Sequence, residues 1–410
     1  MSTDDVRLDL RGLLAAVEAA PPIEVVDVVA RELAVMLGAT EVRFLIANLS
    51  GNAVARISHV SRTSYLRDGH NERTESIPLS ESIYQQVLST QELHVGRSGA
   101  DWSVLLPVTE RGDAIGILEL TLPQSPDDES IDYLTSVAHA LSYVLATSRR
   151  HTDLFEWAQR DIPFSLAAEI QRRLLPSSYT LEGGPFTLAG WMEPAANIGG
   201  DTFDYSLDRE YLYASITDAM GHDTEAALLA TLAVGSLRNT RRSIATPAEQ
   251  AQNANLALLT NARMEQFVTG HVLRIRLADG QMELVNAGHP HPYLLRDGQV
   301  HELVAEPGLP LGLFAHEYDT LTVQLEPGDR LLFVTDGFLE RNAIDVGVPS
   351  IMEASAKRHP REVVRELASN VLEATGHNLR DDATVLCIDW YGPAGERAAT
   401  GGASRDRATR

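Results

Sequence analysis

Four short stretches carry aspartates of the kind that hold divalent cations: Gly199-Gly200-Asp201, Thr217-Asp218-Ala219-Met220-Gly221-His222, Thr335-Asp336-Gly337 and Arg380-Asp381-Asp382-Ala383-Thr384-Val385. Most of them end or begin an apolar run, which places the carboxylates at strand ends where a central sheet can deliver them to one point. Hard cations such as Mg²⁺ and Mn²⁺ take oxygen ligands, and clustered Asp supplies them. Two such ions can hold a phosphate and generate hydroxide from water at neutral pH. Asp218 and Asp336 each precede a Gly-containing turn, so the backbone can approach an ion closely. A lone Asp after a strand is more often a turn former or a helix cap. The argument therefore rests on all four stretches together.

Other chemistries lack their residues. There is no Gly-x-Ser-x-Gly elbow, no Gly-rich Lys-Ser/Thr phosphate loop and no Cys–His zinc spacing. The single Cys387 lies in the apolar run Val385-Leu386-Cys387-Ile388 and reads as a small packed hydrophobe. Asp204 and Asp223 read as surface or capping residues, and His289 as a structural hydrogen-bonding residue.

The chain has 410 residues and a net charge of −23, with 44% hydrophobic and 22% charged residues. That length accommodates two or three domains. The acidic balance argues against nucleic acid and anionic membranes as partners, and disfavours a metal nuclease. One cysteine fits a reducing compartment. The first ten residues carry Asp4, Asp5 and Asp9 with no apolar leader, and no stretch reaches membrane-spanning length. The expectation is a cytoplasmic protein.

The elements that must position these residues fall into four parts. Residues 1–150 read as one α+β unit. Val25, Val28, Val29, Leu33, Met36 and Leu37 recur at helix spacing until Gly38 stops them, a strand runs from Val42 to Ala47, and a hairpin pairs 103–108 with 115–120. From about Ser130 an apolar helical stripe begins and passes into a linker helix over 151–176, interrupted at Pro163 and resumed from Ser165; it reads as a near-continuous helix and homodimer seam, the alternative being that it packs only on its own two domains. Residues 177–391 read as the second domain. Its strands cover 211–216, 270–277, 282–286, 293–295 and 300–303, and a further hairpin joins 321–325 to 331–334. Helices cover 224–242, a segment opened by the capping box Thr246-Pro247-Ala248-Glu249, and a segment around Val363 to Val371. Residues 392–410 read as a disordered tail. The fold class is α+β.

The second domain resembles the PPM, or type 2C, metal-dependent protein Ser/Thr phosphatases, in their SpoIIE/RsbU-like branch. The resemblance is carried by Glu169-Ile170-Gln171-Arg172-Arg173-Leu174-Leu175-Pro176, Ile198-Gly199-Gly200-Asp201, Asp218 to Asp223 with Ala226-Ala227-Leu228-Leu229, Asn286-Ala287-Gly288-His289-Pro290, Gly312-Leu313, Pro327-Gly328-Asp329, Thr335-Asp336-Gly337 with Glu340, and Asp381-Asp382-Ala383-Thr384-Val385. Residues 1–150 are similar to GAF sensor domains. The resemblance implies a PPM α/β sandwich of two central antiparallel sheets flanked by helices. It implies that Asp218 bridges two divalent cations, Mn²⁺ or Mg²⁺, and that the Ala219 carbonyl is a second ligand from the same turn. Asp336 and Asp381 would hold one metal, Asp201 the other or its waters, and Asp382 would stand beside the ligands. Asp218, Asp336 and Asp381 are the implied catalytic set. The family's His two positions after the bridging Asp is Met220 here, which leaves a metal-bound water or His222 as the leaving-group proton donor. The implied function is dephosphorylation of a phosphoserine or phosphothreonine protein, an anti-sigma-factor antagonist of the STAS type in a partner-switching pathway, under control of the GAF-like part. The alternative is a catalytically silent scaffold that binds the same partners.

Overall fold

The computed structural model describes residues 9–48, 51–61, 76–160, 165–193, 200–263, 265–339, 347–376, 379 and 381–395. Ile198, Gly199, Glu340, Arg380 and most of the expected tail lie outside them. The chain divides into two compact units between Pro163 and Phe164.

The front unit runs α1 (Leu10–Ala19), α2 (Val25–Leu37), β1 (Glu41–Ala47), β2 (Ala53–Ser61), β3 (Ser76–Pro78), α3 (Ile83–Thr90), β4 (His94–Ser98), β5 (Asp101–Glu110), β6 (Asp113–Leu122), α4 (Asp128–Ser148) and α5 (Leu154–Ala158). Helix α2 stops where Gly38 adopts φ 62°, a left-handed conformation that costs glycine little. The strands form one antiparallel sheet in the order β3-β2-β1-β6-β5-β4. Alternation decides its two faces. Phe44, Ile46, Leu118 and Leu120 pack with α1, α2 and α4, while Leu45, Leu105 and Ile117 pack with Val87 and Leu88 of α3.

The back unit runs α6 (Leu166–Leu174), β7 (Thr180–Glu182), β8 (Phe186–Glu193), β9 (Thr202–Leu207), β10 (Tyr211–Ala219), α7 (Asp223–Arg241), α8 (Pro247–Asn261), β11 (Val268–Arg276), β12 (Gln281–Ala287), β13 (Tyr293–Arg296), β14 (Gln299–Glu302), β15 (Leu321–Gln324), β16 (Arg330–Val334), α9 (Val348–Ala354), α10 (Pro360–Ala374) and β17 (Ala383–Trp390). Two antiparallel sheets, β15-β12-β11-β10-β9 and β14-β13-β16-β17-β8-β7, lie face to face. Between them pack Phe203, Leu212, Ile216, Leu273 and Ile275 from one sheet and Phe186, Leu188, Phe333, Leu386 and Ile388 from the other. Helices α7 and α8 cover the first sheet, and α9 and α10 cover the second. This is a mixed α/β sandwich with helices on both outer faces. The capping box at Thr246 and Glu249 opens α8, with both reciprocal bonds made.

Two expectations are corrected. The linker helix over 151–176 is not one rod. Helix α4 ends at Ser148, α5 is a separate short helix, and α6 starts afresh. The Thr152 hydroxyl takes the Leu154 N–H, and the Ser165 hydroxyl caps α6 by accepting from Ala168, the position where the pattern was expected to resume after Pro163. Phe155 belongs to the front core and Leu174 to the back one. The hairpin expected from 321–325 and 331–334 is also absent: β15 pairs with β12 in one sheet, while β16 pairs with β13 and β17 in the other. The turn carries the chain between layers. Among the described residues, no helix is long and apolar enough to cross a membrane.

Candidate active site

Strand β10 delivers Asp218 and Ala219 at its C-terminal end, next to β11. Strand β16 ends at Val334, and the chain turns through a short 3-10 helix that begins at Asp336. Asp381 and Asp382 lie at the entry to β17. These segments meet because glycine lets backbones touch. A Cβ on Gly200 would fall 2.5 Å from the Ala219 Cβ, and one on Gly337 would fall 2.1 Å from the Asp382 carbonyl oxygen. Neither contact is tolerable, so these two positions admit only glycine without a backbone shift.

An opening of about 530 Å³ is lined by Asp218, Ala219, Asp336 and Asp381, together with Met220, Gly221, Phe267, Thr269, Gly288, His289, Pro290, His291 and Pro307. Three of the four expected aspartates and the expected carbonyl residue therefore share one wall. Asp201 does not reach it. It is 1% exposed, and the Thr335 hydroxyl donates to its carboxylate at 2.8 Å. Thr335 is itself fixed: its N–H donates to the Thr384 carbonyl at 3.0 Å, and its hydroxyl accepts from the Thr384 N–H at 2.9 Å.

The electrostatics are those of crowded carboxylates. Burial, then Asp336, Asp381 and Asp382, push the Asp218 carboxyl up to about 7. Burial, then Asp218 and Asp382, hold Asp201 well above the usual carboxylate range. Asp336, at the open mouth, is raised by the desolvation it does feel, against the Gly337 N–H, which favours its charged form. Among the described residues lining the opening there is no Lys or Arg. An all-oxygen donor set with unbalanced negative charge suits a hard divalent cation. Among the described residues, however, no three His, Cys, Asp or Glu side chains stand in a closed metal-holding arrangement. The carboxylates are gathered into one neighbourhood, not drawn into a finished cage.

Sequence reasoning missed several supporting residues. Gln171 of α6, only 1% exposed, donates its side-chain amide to the Asp201 carbonyl at 2.8 Å and to the Asp382 carboxylate at 2.6 Å. It stood inside a stretch that carried the resemblance, yet an amide in an amphipathic helix gives no sign of where it points. Asp204, read as a surface or capping residue, is 3% exposed and ion-paired to Arg238 at 2.9 Å and Arg241 at 2.6 Å. Asp223 is exposed and pairs with His222 at 2.8 Å. His222 is exposed and does not line the opening, whereas His289 and His291 do. Burial lowers the His289 imidazole to about 4, so it is neutral. Cys387 is fully buried and its thiol is pushed up to about 12.

Residues 208–391 match the family model described as Stage II sporulation protein E (SpoIIE). The chain is 25% identical over 292 residues to phosphoserine phosphatase RsbU of Bacillus subtilis strain 168, an alignment covering 66% of this chain and 83% of that one. Phosphoserine phosphatase RsbP of the same organism is 22% identical over 235 residues, covering 54% of this chain and 57% of RsbP. Among solved structures, the RsbU and RsbW domains of a Mycobacterium tuberculosis protein align with TM-score 0.47 and 24% identity, covering 53% of this chain and 62% of that one. The SiaA PP2C domain of Pseudomonas aeruginosa aligns with TM-score 0.47 and 22% identity, covering 54% and 93%.

Proposed function

We propose, from a chain whose residues 208–391 form a SpoIIE-type PP2C phosphatase domain, that this protein is a metal-dependent protein serine/threonine phosphatase. The observation that carries the reading is the convergence of Asp218, Asp336, Asp381 and Ala219 on one opening inside the matched region. Asp218, Asp336, Asp381 and the Ala219 carbonyl would hold divalent cations, Mn²⁺ or Mg²⁺, with Asp201 buried and held by Thr335. Such ions, when bound, neutralise phosphoryl charge and supply hydroxide at neutral pH.

The chain's own residues do the rest. Thr335 fixes the Asp201 carboxylate, and Gln171 ties α6 to the Asp201 backbone and the Asp382 side chain. The apolar rim of Met220, Phe267, Pro290 and Pro307 offers contact to a protein substrate around an acidic centre. Two relatives are named phosphoserine phosphatases, which supports a phosphoserine protein as substrate. In this reading the substrate is an anti-sigma-factor antagonist of the STAS type, acting in a cytoplasmic partner-switching pathway, and the front unit is a GAF-like regulator.

The test is hydrolysis of p-nitrophenyl phosphate and of a phosphoserine STAS protein with Mn²⁺, by wild type and Asp218→Ala. Turnover lost in the variant supports the reading. Wild type that binds the phosphoprotein without turnover would favour the silent scaffold instead. Equal turnover by wild type and by a protein lacking residues 1–163 would remove the regulatory part.

A further inference from the structure

The segment from Pro307 to Phe314 runs from the candidate active site to helix α8. Pro307 lines the opening. Gly308 donates its N–H to the Asn286 carbonyl at 2.8 Å. Leu311 pairs with Val268 in both directions, at 2.8 and 2.9 Å, and Val268 follows Phe267, which lines the opening. The buried Asn255 of α8 accepts from the Gly312 N–H at 2.7 Å and donates to the Phe314 carbonyl at 3.0 Å.

The segment is therefore tied along its length, yet Phe314 is 62% exposed. With its carbonyl bonded to a buried amide, that exposure is not the slack of a loose loop. Single exposed apolar side chains are ordinary. Here they gather. Leu309 is exposed within the same segment, and Leu259 is exposed on α8 one helical turn after Asn255, so on the same side of the helix. Met220 is exposed on the rim of the opening itself. An aromatic side chain on a backbone already fixed loses little freedom on binding, which makes it a good anchor for a protein partner.

The charge around these residues has one sign. From Asp297 to Asp329 the chain contains no Lys or Arg. Glu306, Glu317 and Asp319 are exposed there. Arg263, on the loop before β11, is paired with Glu225 at 2.6 Å. Such a surface favours a basic partner face. A second copy of this chain would bring the same acids against themselves if it docked through the same patch, so like charges oppose that occupant.

We propose that Phe314, with Leu309 and Leu259, is the docking surface for the protein substrate, and that it takes an apolar side chain flanked by Lys or Arg on the chain that carries the phosphoserine. The inference rests on the phosphatase reading above and adds the recognition to it. The opening admits a phosphoryl group, and the segment beside it selects for what surrounds that group in the partner.

The experiment uses the full-length protein with Mn²⁺ and three substrates: p-nitrophenyl phosphate, a phosphoserine peptide with Leu and Lys in its flanks, and a matched peptide with Gly and Glu in those positions. Each flank has about seven residues, because the chain from Pro307 to Phe314 reaches at most ~24 Å when extended. The proteins are wild type, Phe314→Ser, Phe314→Leu and Glu317→Lys, with thermal melts and light scattering to check folding and oligomeric state. Wild type should prefer the Leu/Lys peptide by about tenfold in kcat/KM, the size of one good anchor contact. Phe314→Ser should lose most of that preference, chiefly through KM, with p-nitrophenyl phosphate turnover within about twofold, because that substrate is too small to reach Phe314. Phe314→Leu should keep most of it. Glu317→Lys should narrow the preference, and added salt should do the same to wild type. If Phe314→Ser does not fold, Leu309→Ser carries the same expectation.

Equal use of the two peptides by wild type overturns this inference alone. So does a Phe314→Ser protein with unchanged kcat/KM on the Leu/Lys peptide, or one that loses as much on p-nitrophenyl phosphate. A changed oligomeric state with unchanged peptide turnover gives the face to a second copy and also overturns it. No turnover of p-nitrophenyl phosphate by wild type overturns the phosphatase reading and this inference with it.

Discussion

Gln171 and Asp382 are 211 residues apart in the chain, yet the amide of one donates to the carboxylate of the other at 2.6 Å in a site closed to solvent. The bond joins the first helix of the back unit to the turn that presents Asp381. It makes the position of α6 and the arrangement of the carboxylates one problem rather than two.

Gln171→Ala leaves the buried Asp382 carboxylate with one fewer donor. Losing a hydrogen bond to a buried charged group costs about 1.5–3 kcal/mol. Urea unfolding should register that loss, and Mn²⁺ affinity should fall together with kcat, because the Asp381–Asp382 turn is no longer pinned. Unchanged Mn²⁺ affinity would separate α6 from the site.

The metal-free protein should lose stability as pH rises. Asp218 titrates at about 7 in the fold, above its usual value of 3.8, so folding disfavours its charged form. The folded state then binds more protons than the unfolded one between about 4 and 7, and stability falls across that window. Melting temperatures in EDTA should decline from pH 5 to pH 8. Mn²⁺ should reverse the decline, and Asp218→Asn should flatten it while abolishing turnover.

Acid should act in the opposite sense through the buried imidazoles. His271 is held well below its usual 6.5 by burial first, then by His289 and His291, and His289 is held at about 4. Groups with depressed folded values contribute stability above 6.5 that drains away as pH falls towards 4. His271→Phe removes two unpartnered buried nitrogens, so it should raise stability at pH 5 by about 1 kcal/mol, and by less at pH 8. Urea melts at the two pH values check the sign.

Asp204→Ala strands Arg238 and Arg241 against a buried gap. Breaking a buried pair from one side costs about 3 kcal/mol. Arg238 also donates to the Leu174 carbonyl at the end of α6, so the change should loosen α6 as well. Hydrogen exchange across 166–175 should quicken.

Much of the architecture was legible from local signals. Helix α2 ends at Gly38, α8 opens at its capping box, and strand alternation sorts β17 so that Val385 and Cys387 face helices while Leu386 and Ile388 face the other sheet. The acidic stretches pointed to one opening, and Asp218, Asp336 and Asp381 line it. Periodicity and capping act within a few residues, so a chain read in order reveals them.

What the chain in order could not reveal was pairing over distance. The turn at Pro327 and Gly328 has the residues of a hairpin, but β15 and β16 find partners in different sheets because each completes a different hydrophobic layer. The stripe after Ser130 was expected to run on with one interruption at Pro163, but α4 already ends at Ser148 and α5 is a separate short helix. Asp204 read as a surface or capping residue until two arginines from α7 met it, and Asp201, expected to hold a metal or its waters, is buried with its carboxylate bonded by Thr335 and does not line the opening. The composition of the site belongs to the sequence. Which oxygens face the opening, and which donors hold the rest, is set by contacts between strands and helices tens to hundreds of residues apart, whose side-chain directions only the packed fold defines.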